Sequence, residues 1–280
     1  MIVYLAVEAA AGVLASPPIA IANLALFGAY IALITFATRR DEPVNPAAVA
    51  TTLRRDLTIA VAIIVVSLAA ASLFWTPMVL STFHSLASTF ERALPGPVAI
   101  KAANATLGIL LLLLPAVVLL IIFRLGAGAV GLQPRHVGLG LVLAGLGIAL
   151  AAGAVAAHAP VDVLWRAYPL GIAAAVLALQ SLANGIPEEL AFRGILTSRL
   201  VPWLGRPGNA LVVSALAFSL FHVPSALASG RSPMLAVIGV FLPGLQLTGL
   251  TLGYLWYRTR SIWPGAIWHT SITGFGVMFG

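Results

Sequence analysis

The sequence predicts an all-α, polytopic membrane protein with about eight transmembrane helices, and three observations lead there. First, 61% of the 280 residues are hydrophobic and 8% are charged, against about 25% charged in an average soluble domain. No soluble fold of this size hides that much apolar surface. Second, the apolar residues gather into runs close to the ~20 residues that a bilayer requires. Third, Arg and Lys are spread unevenly between alternate loops, as the positive-inside rule expects.

The apolar segments run at 19–37, 57–79, 102–123, 139–157, 168–186, 209–226, 234–256 and 261–279. Lipid gives backbone groups no hydrogen-bond partner, and these runs are too long for barrel strands, so each is expected to be a helix. Residues 1–15 carry Glu8 and lack a basic start, so they read as a retained lead-in to the first span. Pro243 is expected to kink the seventh span. With this count, Arg39, Arg40, Arg54, Arg55, Arg124, Arg135, Arg193, Arg199, Arg206, Arg258 and Arg260 share one side, and Arg92, Lys101, Arg166 and Arg231 the other. The first side is then cytoplasmic. Residues 1–165 are expected to hold four N-terminal helices and residues 166–280 a site-bearing helical core, the two forming one integrated membrane domain.

Composition excludes several functions. The net charge of +7 belongs to basic loops, and no basic patch is interleaved with aromatics, so nucleic acid is not an expected partner. The absence of cysteine removes disulfides, thiolate nucleophiles and cysteine-ligated zinc.

Charged and polar groups inside a bilayer cost several kcal/mol, so each calls for a reason. Three clusters stand out. In the first, Asn184-Gly185-Ile186-Pro187-Glu188-Glu189 leads to Arg193. Proline suits the first turn of a helix, so the fifth span is expected to break at Gly185 and a new helix to start at Pro187. That places both glutamates where a helix dipole favours carboxylates. Glu189 and Arg193 share a face and can pair, whereas Glu188 has no cation at helical spacing. The bland alternative for this cluster alone is a cytoplasmic helix start with ordinary charges, and a functional carboxylate is the favoured reading. The second cluster is Phe218 to His222, with the histidine about thirteen residues into the sixth span; a lone histidine there is by default a satisfied core residue. The third is His269 to Thr273, on one face of the last span, where polar residues commonly serve helix packing. Together they bring one unpaired carboxylate, two imidazoles and a hydroxyl to similar depth, a set able to activate water.

The three motifs resemble those of the CAAX-protease and bacteriocin-processing (CPBP) family of intramembrane proteases, which includes the type II CAAX prenyl endopeptidases. The family pattern EExxxR, FxxxH and HxxxN/D stands here as Glu188-Glu189 to Arg193, Phe218 to His222, and His269 to Thr273. Order and spacing agree across about the last 115 residues. The departure is Thr273, where the family has Asn or Asp.

The resemblance implies an intramembrane endopeptidase in which Glu188 activates water with help from His222. His269 and Thr273 would stabilise the oxyanion, and Glu189, Arg193 and Phe218 would support the site. It implies a membrane-associated peptide or protein as substrate, CAAX-like or a leader peptide, with membrane lipid as the other partner. A metal-free reaction is the expectation; zinc held by Glu188, His222 and His269 is the alternative. The Ala, Gly, Pro and Arg richness points to a bacterial cell membrane, with the site opening to the cytoplasmic side.

Other peptidase designs fare worse. No HExxH is present. The aspartates Asp41, Asp56 and Asp162 are all expected in loops, and Ser214, Ser219 and Ser271 lie in spans without a nucleophile motif. Two other classes stay open: a proton-coupled transporter using Glu188, Glu189 and His222 as a relay, and a non-catalytic scaffold of the same fold, which the Thr273 departure keeps alive.

Overall fold

A computed structural model describes residues 17–42, 52–158, 169–230, 232–241 and 243–278. The lead-in with Glu8, the boundary at 165/166, Arg166 and Arg231 lie outside the described residues. Among those described, the chain is all helix and turn, with no strand. In order the helices are α1 Pro17–Ala37, α2 Leu53–Phe74, α3 Pro77–Glu91, α4 Gly96–Ile122, α5 Val137–His158, α6 Leu170–Leu204, α7 Pro207–Phe221, α8 Val223–Ala228, α9 Pro233–Phe241, α10 Pro243–Thr259 and α11 Trp263–Met278.

Among the described residues, four helical stretches are long and apolar enough to cross a membrane: α2, α4, α6, and α7 with α8 counted together. Parts of α1 and α5 are apolar but shorter. The protein is therefore an integral membrane protein whose longest spans include the fifth apolar segment, α6. From Pro187 to Val201 every residue of α6 is buried, as befits a helix at the centre of a bundle. α2, α4, α7 and α11 pack around it, α10 packs on α7, and α1 and α5 lie outside against α10 and α11. The main apolar core joins Phe192, Ile195 and Leu196 of α6 to Phe218 of α7, Ile59 and Ile63 of α2 and Leu112 of α4.

Several expectations are corrected. The fifth span does not break at Gly185. That residue is right-handed helical (φ −53°, ψ −56°) and the chain continues through Pro187. What precedes the proline is a π turn, Ser181–Gly185, closed by the Ile186 N–H on the Ser181 carbonyl. A proline inside a helix lacks a donor and presses on the carbonyl four residues back; widening the helix by one residue relieves both. The same device precedes Pro115, where Ile109–Leu113 is a π turn within α4. Glu188 and Glu189 thus sit mid-helix rather than in the first turn of a new helix.

Four residues assigned to loops are buried in helices instead: Arg193 and Arg199 in α6, Asp56 in α2 and Lys101 in α4. They leave the loop charge count. α3 occupies a segment expected as loop. The expected seventh span holds α9 and α10, and residue 242 between them, next to the expected kink at Pro243, lies outside the described residues. The sixth span is interrupted at His222, where the N–H turns back to the Ser219 carbonyl at 3.0 Å. Pro224 explains it, since it cannot donate to the helix and disfavours helical backbone at Val223.

α6 and α11 approach closely at Gly185, where a Cβ would lie 2.2 Å from Thr270 Oγ1 and 3.0 Å from the Ala266 carbonyl oxygen. Gly185→Ala is therefore expected to destabilise the protein by about 1–3 kcal/mol through overpacking, read as a lower unfolding temperature in detergent; an unchanged value would mean the two helices give way freely.

Candidate active site

α6 brings Glu188, Glu189 and Arg193 to the bundle centre, α7 ends at His222, and α11 carries His269. The two glutamates have different surroundings because consecutive helix positions point about 100° apart. Glu189 faces its own helix and α11: its Oε1 accepts from Arg193 Nη1 at 3.0 Å and from His269 Nδ1 at 3.2 Å. Arg193 also donates to the Gly249 carbonyl of α10 at 3.2 Å, and its guanidinium lies 4.3 Å over the Phe218 ring. Phe218 then touches both imidazoles edge to face, with centroids 4.7 Å from His222 and 5.8 Å from His269. One aromatic ring and one ion pair thus fix the positions of both histidines.

Glu188 is 2% exposed. Its Oε1 accepts from Asn184 Nδ2 at 2.9 Å. Its Oε2 is buried with no hydrogen-bond partner and faces two ring nitrogens, His269 Nε2 at 3.7 Å and His222 Nε2 at 4.0 Å. These gaps exceed a direct hydrogen bond. The far nitrogens settle the ring orientations. His222 Nδ1 lies 2.8 Å from the Phe218 carbonyl oxygen, which only accepts, so Nδ1 carries a hydrogen and Nε2 turns to Glu188. His269 is held the same way through Nδ1–H on Glu189.

Thr273 is on the same helix as His269, one turn on. Its hydroxyl donates to the His269 carbonyl at 2.9 Å and accepts from Gln180 Nε2 at 3.1 Å. Of the residues singled out from sequence, Glu188, Glu189, Arg193, Phe218, His222 and His269 form one contiguous cluster. Thr273 joins it through His269's backbone and through Gln180.

Sequence reasoning passed over a polar ladder on α6. Gln180 Nε2 donates to Asn184 Oδ1 at 3.0 Å, Asn184 donates to Glu188, and Lys101 Nζ of α4 donates to Gln180 Oε1 at 2.7 Å. The signal was present: Gln180, Asn184 and Glu188 recur every four positions in an otherwise apolar run.

A cavity of about 270 Å³ opens beside Glu188 and His222. Asn104 and Asn184 supply polar groups, and Ala70, Phe74, Leu107 and Leu111 of α2 and α4 form apolar walls. The donors that zinc would use are Glu188 Oε2 and the Nε2 atoms of His269 and His222, which face it at 3.7 and 4.0 Å; among the described residues no group of three or more such side chains is gathered closely enough to mark a metal site.

Comparison with known proteins gives one match. Residues 169–275 match the family model described as Rce1-like: Type II CAAX prenyl endopeptidase Rce1-like. The matched stretch runs from α6 into α11 and contains every residue of the cluster. No curated protein and no solved structure matches the chain.

Proposed function

We propose, from the premise that residues 169–275 form an Rce1-like domain of the type II CAAX prenyl endopeptidase family, that this membrane peptidase hydrolyses a peptide bond by glutamate-activated water. The observation that carries the reading is Glu188 Oε2, a buried carboxylate oxygen without a partner, facing two imidazole nitrogens at the edge of a cavity. An unsatisfied buried acceptor is costly, and a site for water or substrate accounts for it.

In the proposed reaction, water between Glu188 and His222 gives a proton to Glu188 Oε2 as its oxygen attacks the scissile carbonyl carbon. His222 Nε2, its lone pair directed to the same place, accepts a hydrogen bond from the water. His269 as imidazolium donates Nε2–H to the oxyanion. When the C–N bond breaks, Glu188 returns the proton to the leaving amine. Glu189, Arg193 and Phe218 hold the two rings. Thr273 is the second oxyanion donor in the family-derived assignment. Here its hydrogen is engaged by the His269 carbonyl, so its contribution is the smaller.

The substrate is a membrane-associated peptide, CAAX-like or a leader peptide, reaching a site on the cytoplasmic side of a bacterial membrane. Eight spans, with residues 1–165 and 166–280 as one integrated unit, complete the proposal. The test is cleavage of a lipid-anchored peptide by purified protein in liposomes, compared with Glu188→Ala and Glu188→Gln. Equal cleavage by all three removes the peptidase reading and returns the relay and scaffold alternatives.

Two further outcomes belong to this test. Chelator treatment with metal analysis is expected to leave cleavage intact; loss restored by added zinc would establish the metal alternative. Thr273→Asn is expected to preserve turnover or raise it a few-fold, because an amide reaches further than a hydroxyl. Complete loss would contradict the oxyanion role.

A further inference from the structure

Another cavity, of about 240 Å³, lies where the end of α1, the start of α5 and the α10–α11 turn meet. Every side chain that lines it is polar. Arg40, Arg135, Arg258 and Arg260 bring four guanidiniums, and the acids among the lining residues are Asp41 and Glu42. Four cations against two carboxylates leave two positive charges in excess. Asp41 is also shared with His136, whose Nε2 is 3.6 Å from its carboxylate. Residues 43–51, which follow Glu42, carry no charged side chain, so the adjoining sequence adds no further acid. A concave surface lined mainly by one sign of charge concentrates counter-ions. The peptidase mechanism makes no use of it.

The walls of this cavity are tied to one another. Arg258 of α10 donates from Nε to Thr38 Oγ1 at 3.0 Å and from Nη2 to the Thr38 carbonyl at 2.6 Å, which fixes α10 to the end of α1. Ser261 Oγ donates to the Gln133 carbonyl at 2.8 Å, and the Ile262 N–H to the Gly131 carbonyl at 2.9 Å, which fixes the α10–α11 turn to the stretch before α5. Two lining residues, His136 (φ 56°) and Arg260 (φ 54°), are held in the left-handed region, a conformation that costs residues other than glycine and persists where the surroundings impose it. The arginines are thus gathered by the fold, against their mutual repulsion, and binding an anion there needs little rearrangement.

The cavity also borders a lipid-facing surface. Phe36, four residues before Arg40 on α1, is 63% exposed, and Leu141, five residues after His136 on α5, is 60% exposed. In an integral membrane protein such side chains meet acyl chains. The Arg39 guanidinium lies 4.5 Å over the Phe36 ring, as a long cation does when its stem follows apolar surface to the headgroups. The arginine cavity therefore stands where the acyl-chain region of α1 and α5 ends, on the face that the arginine distribution marks as cytoplasmic.

We propose that this cavity binds the phosphodiester headgroup of an anionic membrane lipid, which joins α1 and α5 to the α10–α11 turn. Guanidinium forks match phosphate oxygens, and basic pockets between helices at the cytoplasmic surface suit such headgroups. The exposed apolar side chains of α1 and α5 receive the acyl chains, which free phosphate lacks. A zwitterionic choline headgroup brings a cation that the guanidiniums repel. No step proposed for Glu188 uses these arginines, so the lipid site and the peptidase reading stand or fall separately.

The test counts bound lipid and needs no turnover. Full-length protein in a neutral detergent is titrated with dioctanoyl phosphatidylglycerol, dioctanoyl phosphatidylcholine and inorganic phosphate, and retained ligand is measured by native mass spectrometry. Phosphatidylglycerol is expected to bind at least about tenfold tighter than either of the others. The double variant Arg40→Gln with Arg135→Gln is expected to lose that preference; both side chains are exposed, so folding does not hang on them. The charge control is Arg54→Gln with Arg206→Gln, exposed arginines outside the cavity on the same expected face. It removes the same charge and is expected to bind within about twofold of the unaltered protein. Phosphatidylcholine held as tightly as phosphatidylglycerol overturns the proposal, as does an undiminished preference in the cavity variant. Equal losses in the two double variants overturn it too, because they reduce the site to general attraction by a positive surface. Inorganic phosphate held as tightly as the lipid overturns the headgroup assignment.

Discussion

Replacing Glu188 by glutamine is expected to lower turnover of a lipid-anchored peptide by about 10²–10⁴-fold, the range that a positioned general base contributes. The change is nearly isosteric. The amide keeps an acceptor for Asn184, whose Nδ2 donates to Glu188 Oε1 at 2.9 Å, but cannot take a proton from water. Glu188→Ala is expected to lose at least as much. Glu188→Gln should leave the unfolding temperature unchanged, because Oε2 makes no hydrogen bond and the amide oxygen keeps Asn184 as its donor. Glu189→Gln is the control. Glu189 holds Arg193 and His269 at 3.0 and 3.2 Å, and Arg193 is buried. Its neutralisation strands a buried cation, a loss of about 3–5 kcal/mol, so activity and stability fall together. The contrast between adjacent glutamates separates chemistry from scaffolding. If Glu188→Gln unfolded as readily as Glu189→Gln, Glu188 would be structural and its partnerless oxygen a misleading guide.

These two residues also show what the sequence could convey. The helical class and the long spans were legible because lipid imposes one solution on the backbone, and apolar run length reports it directly. Glu189–Arg193 was legible because partners four apart on a helix meet whatever else happens. The continuity of α6 was not. A proline opening a helix and a proline following a π turn look alike in one dimension, and only packing against α4 and α11 decides between them. The close approaches of Gly108 to Ala183 and of Gly185 to Thr270 carry that decision. The ladder Lys101–Gln180–Asn184 was half legible: its α6 rungs recur every four residues, whereas Lys101 joins from 79 positions away and reads in isolation as a loop cation near a span end. Asp56 failed for the same reason, its partner standing 143 positions further on.

That distant pair carries the other large effect. Asp56 Oδ1 accepts from Arg199 Nη1 at 3.1 Å, with both side chains nearly inaccessible. It joins α2, outside the family-matched stretch, to the end of α6, inside it. Asp56→Ala is expected to cost about 3–5 kcal/mol, since a guanidinium buried without its acid is far worse than no ion pair at all. The double replacement Asp56→Leu with Arg199→Met removes both charges and fills the space. It is expected to recover most of that loss, and peptide cleavage with it, because neither group touches the Glu188 cluster. Measured as a double-mutant cycle of unfolding free energies in detergent, the coupling should be large and opposite in sign to the single losses. A double variant as unstable as Asp56→Ala alone would mean that Asp56 acts through other contacts. The coupling, if found, makes α2 part of the same cooperative unit as the glutamates, and hence the wall it gives the cavity as fixed as the site itself.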